Sequence, residues 1–442
     1  MKSNKFNESG QAIIMIAVSL IVLLGFVALA IDGGMVYSDR RHAQNAADAA
    51  SLAGGGAAAL TLENQHVFYS TWNCNDPKIL LAEQNAVASA ISRAGSNRYT
   101  IDADPADGNG ATAVCGEEDN GSWIDKFIDV STYISATTPT YFAQVLFKGV
   151  LNNRVSAVTR IRPRTAMAFG DAIVSLSSDC PNINQGGVSF EGGGGQVHNV
   201  HILGGGVFSN SCLTGNGGVI AEVDPEKGFH HYGEYNPPPG SGSLSPEPEP
   251  ATIQIPDYPV QTPQCDQVPM RSAPPRHGDI SIAPGRYPEI LRNNGKLELQ
   301  PGLYCVDGDF NVNGDWVEGH DVTIYLINGS FSTTAGSEVH LSAPLATCRA
   351  PVCPYAIPGL LFYMRKGNTG TVALQGNSTS YFQGTIYVPT GTIDAGGGSS
   401  ELPTLRTQLI GWTVKVHGNV NIDIIFDGGE NYQRPAYLEL YR

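Results

Sequence analysis

The sequence predicts a mainly β chain that is carried on a single N-terminal membrane helix. The stretch Ala12–Ile31 is an apolar run interrupted only by Ser19. A helix of this length rises about 1.5 Å per residue and spans the roughly 30 Å of a bilayer's hydrocarbon core. The chain has 52 glycines and only 15% charged residues. From residue 166 onward, short runs of β-branched and aromatic residues alternate with turn residues, which is typical of turn-rich β structure.

The helix is predicted to continue beyond the membrane as an alanine-rich extension, so that residues 11–56 form one segment. In the extension Ala43, Ala47 and Ala50 fall at helical steps of four and three, which gives a narrow face for close packing. This face is expected to pack on the protein's own next domain, and the alternative is a partner protein. The glycines at 54–56 are expected to weaken the helix.

Three separated motifs follow one another in this N-terminal region. They are Gly10-Gln11-Ala12, Ala30-Ile31-Asp32-Gly33-Gly34 and Asn45-Ala46-Ala47-Asp48-Ala49-Ala50. Together with the apolar run, they resemble the signature of the TadE/TadG-like family of Flp (tight-adherence) pilus-assembly proteins. The resemblance implies a single-pass protein of the bacterial cell membrane with most of its chain outside the cytoplasm. It also implies a role in pilus assembly or surface adhesion, with the lipid bilayer and other pilus-assembly or pilin-like proteins as partners.

The N-terminus has three alternative fates. The apolar run is longer than the core of a typical cleaved signal peptide, which favours an uncut anchor. Ala28-x-Ala30 nevertheless offers a small-residue cleavage site, and prepilin-type processing after Gly10 is the third alternative. Met15 stands where prepilin substrates usually carry Glu. We therefore expect an uncut chain with residues 1–10 in the cytoplasm.

Residues 57–165 are predicted to form a small α+β domain. Asp76-Pro77 provides an N-cap and a first-turn proline for a helix that stops near Gly95. Strands are predicted at Trp123–Ser135 and Arg154–Ile161, where β-branched residues are frequent. A helix followed by strands behind a membrane helix is similar to the layout of pilin-like proteins.

Residues 166–235 and 276–442 are predicted to be two parts of a right-handed β-helix, with a β-sandwich as the alternative. The glycine density, the short runs and bends such as Pro389-Thr390-Gly391 favour the β-helix, in which each coil buries its inward residues against the next. Residues 236–275 carry many prolines and are predicted to be an extended or disordered linker or surface loop without a packed core. The elements Pro301-Gly302-x-Tyr304-Cys305 and Gly384-Thr385-Ile386-Tyr387-x-Pro389 also resemble the C-terminal region of longer TadG-like proteins.

The cysteines predict disulfides formed outside the cytoplasm. All eight lie beyond the apolar run, and an even number in an exported chain indicates a disulfide framework. No CxxC motif occurs, so a zinc site is not expected. The simplest connectivity pairs neighbours in sequence, namely Cys74–Cys115, Cys180–Cys212, Cys265–Cys305 and Cys348–Cys353.

Charge and motifs favour a structural protein over an enzyme. A net charge of −15 argues against nucleic-acid binding, which needs clustered Lys and Arg. The sequence contains no GxSxG, HExxH, Walker or strand-to-helix GxGxxG motif. We expect no enzymatic activity and no cofactor. The alternative is a membrane-tethered β-helix that binds or cleaves polysaccharide, with surface glycans as ligands and aromatic residues such as Tyr258 and Tyr381 as contacts.

One polar stretch is a weak calcium candidate. Asp309, Asn311 and Asn313, followed by Gly314, repeat the alternating oxygen ligands of the first half of a calcium loop. The twelfth position would be His320 instead of Glu. The favoured interpretation is therefore a polar turn of the β-helix.

The same stretch has a second interpretation as an active site. Asp307 lies two residues before Asp309, hence on one face of a strand, and Asp315, Glu318 and Asp321 follow. Cleavage of a glycosidic bond needs such paired carboxyl groups. A solvated polar turn again explains the pattern more simply.

A histidine pair is the last candidate. Gly228–Tyr235 contains His230 and His231, near Asp224 and Glu226. Histidine and carboxylate side chains bind metals. The position of the pair before the proline-rich segment favours an exposed loop instead.

Overall fold

The structure is a computed structural model of the 442-residue chain. It describes residues 9–119, 124–142, 150–180, 186–192, 198–240, 242–257, 260–313, 316–334, 336–345, 348, 351–397, 403–418 and 421–441. Strands account for 43% of the residues and helices for 21%. The prediction of a mainly β chain behind an N-terminal apolar helix is therefore confirmed.

The described residues form two α-helices and a long series of short strands. The helices are α1 (Ser9–Asn64) and α2 (Pro77–Ser96). The strands are β1 (Gly110–Asp119), β2 (Ile124–Thr138), β3 (Leu151–Arg162), β4 (Thr165–Ala166), β5 (Ile173–Ser175), β6 (Gly187–Gly192), β7 (His198–Leu203), β8 (Val207–Ser209), β9 (Leu213–Asn216), β10 (Val219–Val223), β11 (Phe229–His231), β12 (Tyr235–Asn236), β13 (Ser243–Ser245), β14 (Glu249–Pro250), β15 (Ile280–Ile282), β16 (Gly285–Tyr287), β17 (Ile290–Arg292), β18 (Lys296–Leu299), β19 (Gly302–Val306), β20 (Phe310–Val312), β21 (Trp316–Gly319), β22 (Val322–Leu326), β23 (Phe331–Thr333), β24 (Glu338–Ser342), β25 (Leu360–Met364), β26 (Thr371–Leu374), β27 (Tyr381–Gly397), β28 (Thr404–Gly418), β29 (Ile422–Ile425), β30 (Gln433–Arg434) and β31 (Tyr437–Leu440).

The chain divides into two compact units. The N-terminal unit comprises Met1–Glu118, Ile124–Arg164 and Pro435–Arg442. It has a four-stranded sheet in the order β1-β2-β3-β31, with α1 and α2 packed on it. The predicted helix at 76–95 is confirmed, because Asp76 accepts a hydrogen bond from the Lys78 N–H at 2.8 Å and caps α2. The two predicted strands are also present as β2 and β3.

The strand β31 belongs to this unit, which corrects the prediction that all of 276–442 is β-helix. β31 pairs with β3 in antiparallel register, with Arg160 opposite Glu439 and Arg162 opposite Tyr437. The Arg160 guanidinium is buried, bonds the Asp129 carboxylate at 2.8 Å and lies over the Tyr441 ring. A buried cation needs such partners, and the end of the chain supplies one of them.

The second unit, mainly Thr165–Arg434, is a parallel β-solenoid of about 10 turns. Strands three apart in sequence pair in parallel, as in the columns β15–β18–β21–β24 and β16–β19–β22–β25. Leu297, Val317 and Val339 are thereby in register and fully buried. Because the described pairings of this sheet are parallel, the antiparallel sandwich alternative is wrong. The right hand of the solenoid stays a prediction.

The coils are not stacked in chain order. β28 pairs with β27 on one side and with β5 and β6 on the other, and β29 pairs with β7. The first coils therefore begin in the middle of the stack and proceed to one end at β14. The chain then resumes at the opposite end with β15 and returns to the middle. As a result β4 and β30, the first and last strands of the unit, pair with each other.

The described residues of 251–275, which we call the strap, lead from one end of the stack to the other. The strap contacts Asn210 first, then Tyr387 and Tyr363, and finally Cys305 and Arg286. These partners belong to successive positions along the stack, so the strap runs along the outside of the solenoid.

The strap corrects the prediction for residues 236–275. Within that range Leu244, Ile255, Val260 and Val268 are each at most 7% exposed, and β13 pairs with β10. Prolines lack the N–H that an interior strand needs, but a chain lying across the outer face needs no complete ladder of hydrogen bonds. This is why a proline-rich stretch contributes packed side chains here.

The four disulfides have the sequential connectivity. They join Cys74 to Cys115, Cys180 to Cys212, Cys265 to Cys305 and Cys348 to Cys353, with Cα–Cα distances of 5.6, 5.7, 6.0 and 5.9 Å. The first bond lies in the N-terminal unit and the third fixes the strap to β19. The prediction of a disulfide-stapled chain is confirmed.

The strap yields a stability prediction. The Asn210 side chain donates to the Ile255 carbonyl and accepts from the Ile255 N–H, both at 2.7 Å, and is only 5% exposed. Asn210→Ala leaves both backbone groups without this partner, so we expect the free energy of unfolding to fall by about 1–3 kcal/mol. Chemical unfolding of the full chain in detergent measures the loss, and proteolysis within 251–275 should accelerate.

Asn293→Ala is the matched control, because Asn293 is exposed. Its unfolding and cleavage should equal those of the unsubstituted chain. Equal behaviour of the two variants would mean that the Asn210 contact does not hold the strap.

Candidate functional site

The apolar run Ala12–Ile31 lies within α1 and presents its side chains outward. Ile13, Met15 and Leu29 are 70%, 75% and 70% exposed. The most apolar window of this helix has a mean hydropathy of 3.0 and is 0% buried. A fully apolar, uncovered helix surface of this length is long and apolar enough to cross a membrane.

Asp32, the first residue after the run, attaches the helix to the chain that follows β2. Its carboxylate accepts hydrogen bonds from the backbone N–H groups of Tyr141 at 3.0 Å and Phe142 at 3.1 Å. Asp32 is only 4% exposed although it stands beside the most exposed part of the helix. Nearby, the Asn153 side chain donates to the Val36 carbonyl at 3.4 Å. The chain beyond β2 is therefore attached to α1 at the end of the run.

The predicted packing face of α1 is buried inside the N-terminal unit. Ala43, Ala47 and Ala50 are 0% exposed and lie in one core cluster with Ala90 of α2 and Ile134 of β2. Of the two interpretations, the structure supports packing on the protein's own domain. The extension and the α+β domain thus form one unit instead of two consecutive ones.

The glycines at 54–56 do not end the helix, which continues to Asn64. A Cβ on Gly54 would lie 2.8 Å from both the Ala86 carbonyl oxygen and Val130 Cγ1, and a Cβ on Gly55 would lie 2.7 Å from Thr159 Cγ2. The cost of glycine in a helix is offset here by the close approach of α2 and the sheet. We call Ala43, Ala47, Ala50 and Gly54 together the small-residue face.

One polar contact crosses this packed interface. The Thr159 hydroxyl donates to the Ser51 hydroxyl at 3.0 Å, and both residues are 0% exposed. Ser51 also donates to the Asp48 carbonyl at 3.1 Å. The polar atoms that enter the core with α1 are thus paired, as buried polar groups must be.

A comparison with known families matches this same stretch. The family model described as putative Flp pilus-assembly TadE/G-like matches residues 10–59. We call these matched residues the TadE/G-like segment. No curated protein and no solved structure matches the chain. The resemblance predicted from the N-terminal motifs is confirmed, whereas that of the C-terminal region lies outside the matched residues and stays a prediction.

The TadE/G-like segment coincides with one physical element. It contains the apolar run, Asp32 and the small-residue face, all on the continuous helix α1. The match and the solenoid fit a pilus-related, membrane-anchored protein. The apolar helix indicates the anchor and the disulfides indicate an extracytoplasmic location.

The calcium candidates lie in and beside a solenoid strand. Asn311 is in β20, whose Phe310 and Val312 are buried, and Asp309 and Asn313 flank the strand. Asn311 accepts a hydrogen bond from the Ser332 hydroxyl of the neighbouring coil at 2.8 Å, as a polar turn of the solenoid would require. The calcium site stays a prediction. Gly314 and Asp315 lie outside the described residues.

The remaining carboxylates of this stretch have structural partners. Asp307 pairs with Arg286 at 2.8 Å, and Asp309 accepts a hydrogen bond from the Ser330 N–H at 2.9 Å. Asp321 approaches Cys348 and Cys353, but these cysteines form a disulfide. The structure therefore joins the acidic residues to successive coils instead of bringing them into one site.

The histidine pair is part of the solenoid and not an exposed loop. His230 and His231 lie in β11, between β8 and β14. The His231 ring contacts the Gly233 carbonyl oxygen at 2.8 Å, and the His230 ring stacks on Phe208. Burial lowers the pKa of His230. Phe229 faces the core, and Phe229 and His231 are buried whereas His230 between them is only partly buried, as expected for alternate residues of a strand.

An outer strip of aromatic and charged side chains was not predicted as a whole. The His340 ring stacks on Tyr381 at 5.0 Å and meets Trp316 edge-to-face at 5.8 Å. Lys296 lies over Trp316 and pairs with Glu318 at 2.7 Å, and this hydrogen bond lowers the pKa of Glu318. We call these five residues the aromatic strip. The sequence analysis names Tyr381 and Glu318 in separate hypotheses, because the coil register that aligns the five residues is not visible in the sequence. Tyr258, the other aromatic residue named there, lies outside the described residues.

The glycines of α1 provide a matched pair of substitutions. Gly54→Ala forces α2 or Val130 to move, so we expect the free energy of unfolding to fall by about 1–3 kcal/mol. Gly56 has no atom within 4 Å of a Cβ, so Gly56→Ala should raise it by up to about 1 kcal/mol through helix propensity. Thermal unfolding of both variants in detergent tests the expected decrease in stability for Gly54→Ala and the expected increase for Gly56→Ala. Stabilisation by Gly54→Ala would contradict close packing at this position.

Proposed function

We propose that this protein is a non-enzymatic, single-pass structural protein of Flp-type pilus assembly or surface adhesion, with its bulk outside the cytoplasm. The observation that carries the proposal is the continuity of α1. The same helix carries the exposed apolar run and the fully buried small-residue face. The folded unit and the proposed membrane segment are therefore joined by helix, and not by a loop, between Ile31 and Ala43.

The location outside the cytoplasm is supported by the disulfides. Four bonds are distributed over both units, and such bonds persist in oxidising compartments. The anchor then places residues before Ala12 on the cytoplasmic side. In this arrangement the solenoid is a display surface carried by the N-terminal unit.

A structural role is supported by how the candidate carboxylates are used. Asp307 neutralises Arg286 of the neighbouring coil, and Asp309 holds the Ser330 backbone. General acid–base catalysis needs carboxyl groups placed to reach a substrate. These two groups instead hold one coil to the next.

The first experiment is fractionation of native cells, with mass spectrometry of the protein's N-terminus and of sheared surface filaments. We expect a chain that retains its first residues, found in the membrane fraction and absent from filaments. A chain beginning at Gln11 within the filaments would instead identify a processed filament subunit and overturn the uncut anchor. A water-soluble chain beginning after Ala30 would overturn the anchor itself.

The aromatic strip favours a second candidate function, binding of surface glycans. Ring faces beside ionised carboxylates are groups that sugars contact through their C–H faces and hydroxyls, and Tyr381 and Trp316 are both partly exposed. Stacking on an aromatic ring contributes about 0.5–1.5 kcal/mol. A strip of this kind on a rigid solenoid would suit an adhesin.

Binding of the native cells' purified surface polysaccharide tests this candidate. Tyr381→Ala should weaken binding about 3–10-fold, while Tyr232→Ala, a change at a 49% exposed tyrosine outside the strip, should not. Unchanged binding in both variants would exclude the aromatic strip as the glycan-binding site. New reducing ends that disappear with Asp309→Asn would indicate a cleaving enzyme and overturn the non-enzymatic proposal.

A further inference from the structure

The chain that follows β2 reaches α1 at the membrane end of the N-terminal unit. The carboxylate of Asp32 holds the N–H groups of Tyr141 and Phe142. Asp32 directly follows Ile31, the last residue of the apolar run. Tyr141 and Phe142 therefore lie at the level where α1 passes from hydrocarbon to water.

The side chains at this point are apolar and uncovered. Tyr141 is 68% exposed, Phe142 is 47% exposed, and Val150, which precedes β3, is 58% exposed. On α1 itself Ile31 is 43% exposed. Asp32 is bound through backbone N–H groups, so this pairing does not use the two aromatic side chains.

We propose that Tyr141, Phe142 and Val150 form a second membrane contact, inserted into the headgroup layer of the same bilayer that α1 crosses. Tyr and other amphipathic aromatic side chains favour the membrane–water interface, and apolar side chains gain free energy by leaving water for its acyl boundary. We call these three residues the interfacial tip.

Phospholipid is the occupant that the geometry favours over a protein partner. Tyr141 and Phe142 of the interfacial tip are hydrogen-bonded to Asp32, the residue that directly follows the apolar run, so their distance from the bilayer is set by this contact. An exposed apolar surface at that level is already beside lipid. A protein partner would have to displace this lipid to reach it.

The contact would define how the N-terminal unit is held at the membrane. One helix leaves a folded unit free to rotate about the helix axis. A second contact, fixed to the first through Asp32, gives the sheet a defined face toward the bilayer. This inference rests on the proposed membrane span, so its test must separate the two.

The test is fluorescence quenching of single added tryptophans in the full chain, reconstituted in phosphatidylcholine vesicles with brominated acyl chains. Phe142→Trp reports on the interfacial tip and Leu24→Trp on the span. Tyr133→Trp is the matched control, because Tyr133 is 36% exposed on β2 and lies about 16 Å before the strand's end at Thr138. The unsubstituted chain supplies the background of its four tryptophans.

We expect Phe142→Trp to lose about half of its added emission when the bromines lie near the headgroups, and less when they lie near the bilayer centre. Leu24→Trp should show the opposite order, and Tyr133→Trp should lose little. Quenching of Leu24→Trp without quenching of Phe142→Trp overturns the interfacial tip and leaves the span intact. If Leu24→Trp is not quenched by either bromine position, the proposal that α1 crosses the bilayer is overturned. Adding Asp32→Asn to Phe142→Trp should reduce quenching of the tip alone, since the neutral amide is a weaker acceptor for the two N–H groups.

Discussion

Close backbone approach along α1 is the interaction on which the N-terminal unit depends. A helix can be both a membrane span and the centre of a folded domain only if its surface changes from large apolar side chains to very small ones along its length. Here the change occurs between Ile31 and Ala43. The alanines and Gly54 leave room for Ala86, Ala90 and Val130 at van der Waals distance. Larger side chains would keep α2 and the sheet away, and α1 would have no folded partner outside the membrane.

A comparable constraint shapes the solenoid. Parallel strands buried on both faces read as continuous apolar runs, and Leu360–Met364 is such a run. Phe362 and Met364 face the core of the coils, whereas Tyr363 faces outward beneath the strap. Burial raises the pKa of Tyr387 in the next coil, and its hydroxyl donates to Asp257 of the strap at 2.6 Å. The strap thus covers this outer face of the coils, and the two form a second hydrophobic cluster.

Features that depend on neighbouring residues in the sequence could be predicted from local patterns. Features that depend on contacts between distant parts of the chain could not. The membrane run, the Asp76 cap, β2, β3 and the pairing of the cysteines follow from spacing and residue type. The roles of Gly54 and of the strap do not, because each depends on a surface formed elsewhere in the chain. Helix propensity alone makes Gly54 a weak point, and proline content alone makes 251–275 a linker. The sequence places Asp32 only within a motif, because a carboxylate directly after an apolar run is satisfied by water unless it is buried. Its burial and its binding to the Tyr141 and Phe142 N–H groups follow from the fold.

The position of the solenoid in the chain explains how one protein combines the two units. The solenoid is inserted between β3 and β31 of the N-terminal sheet, and its first and last strands, β4 and β30, are neighbours. An insertion whose ends lie together does not require the host sheet to open. The order of the coils meets this requirement, since a solenoid stacked in chain order would end far from where it began. The strap carries the chain from one end of the stack to the other so that the last coil can return beside the first. The proline-rich stretch is therefore the element that allows a long solenoid to be carried on a TadE/G-like helix.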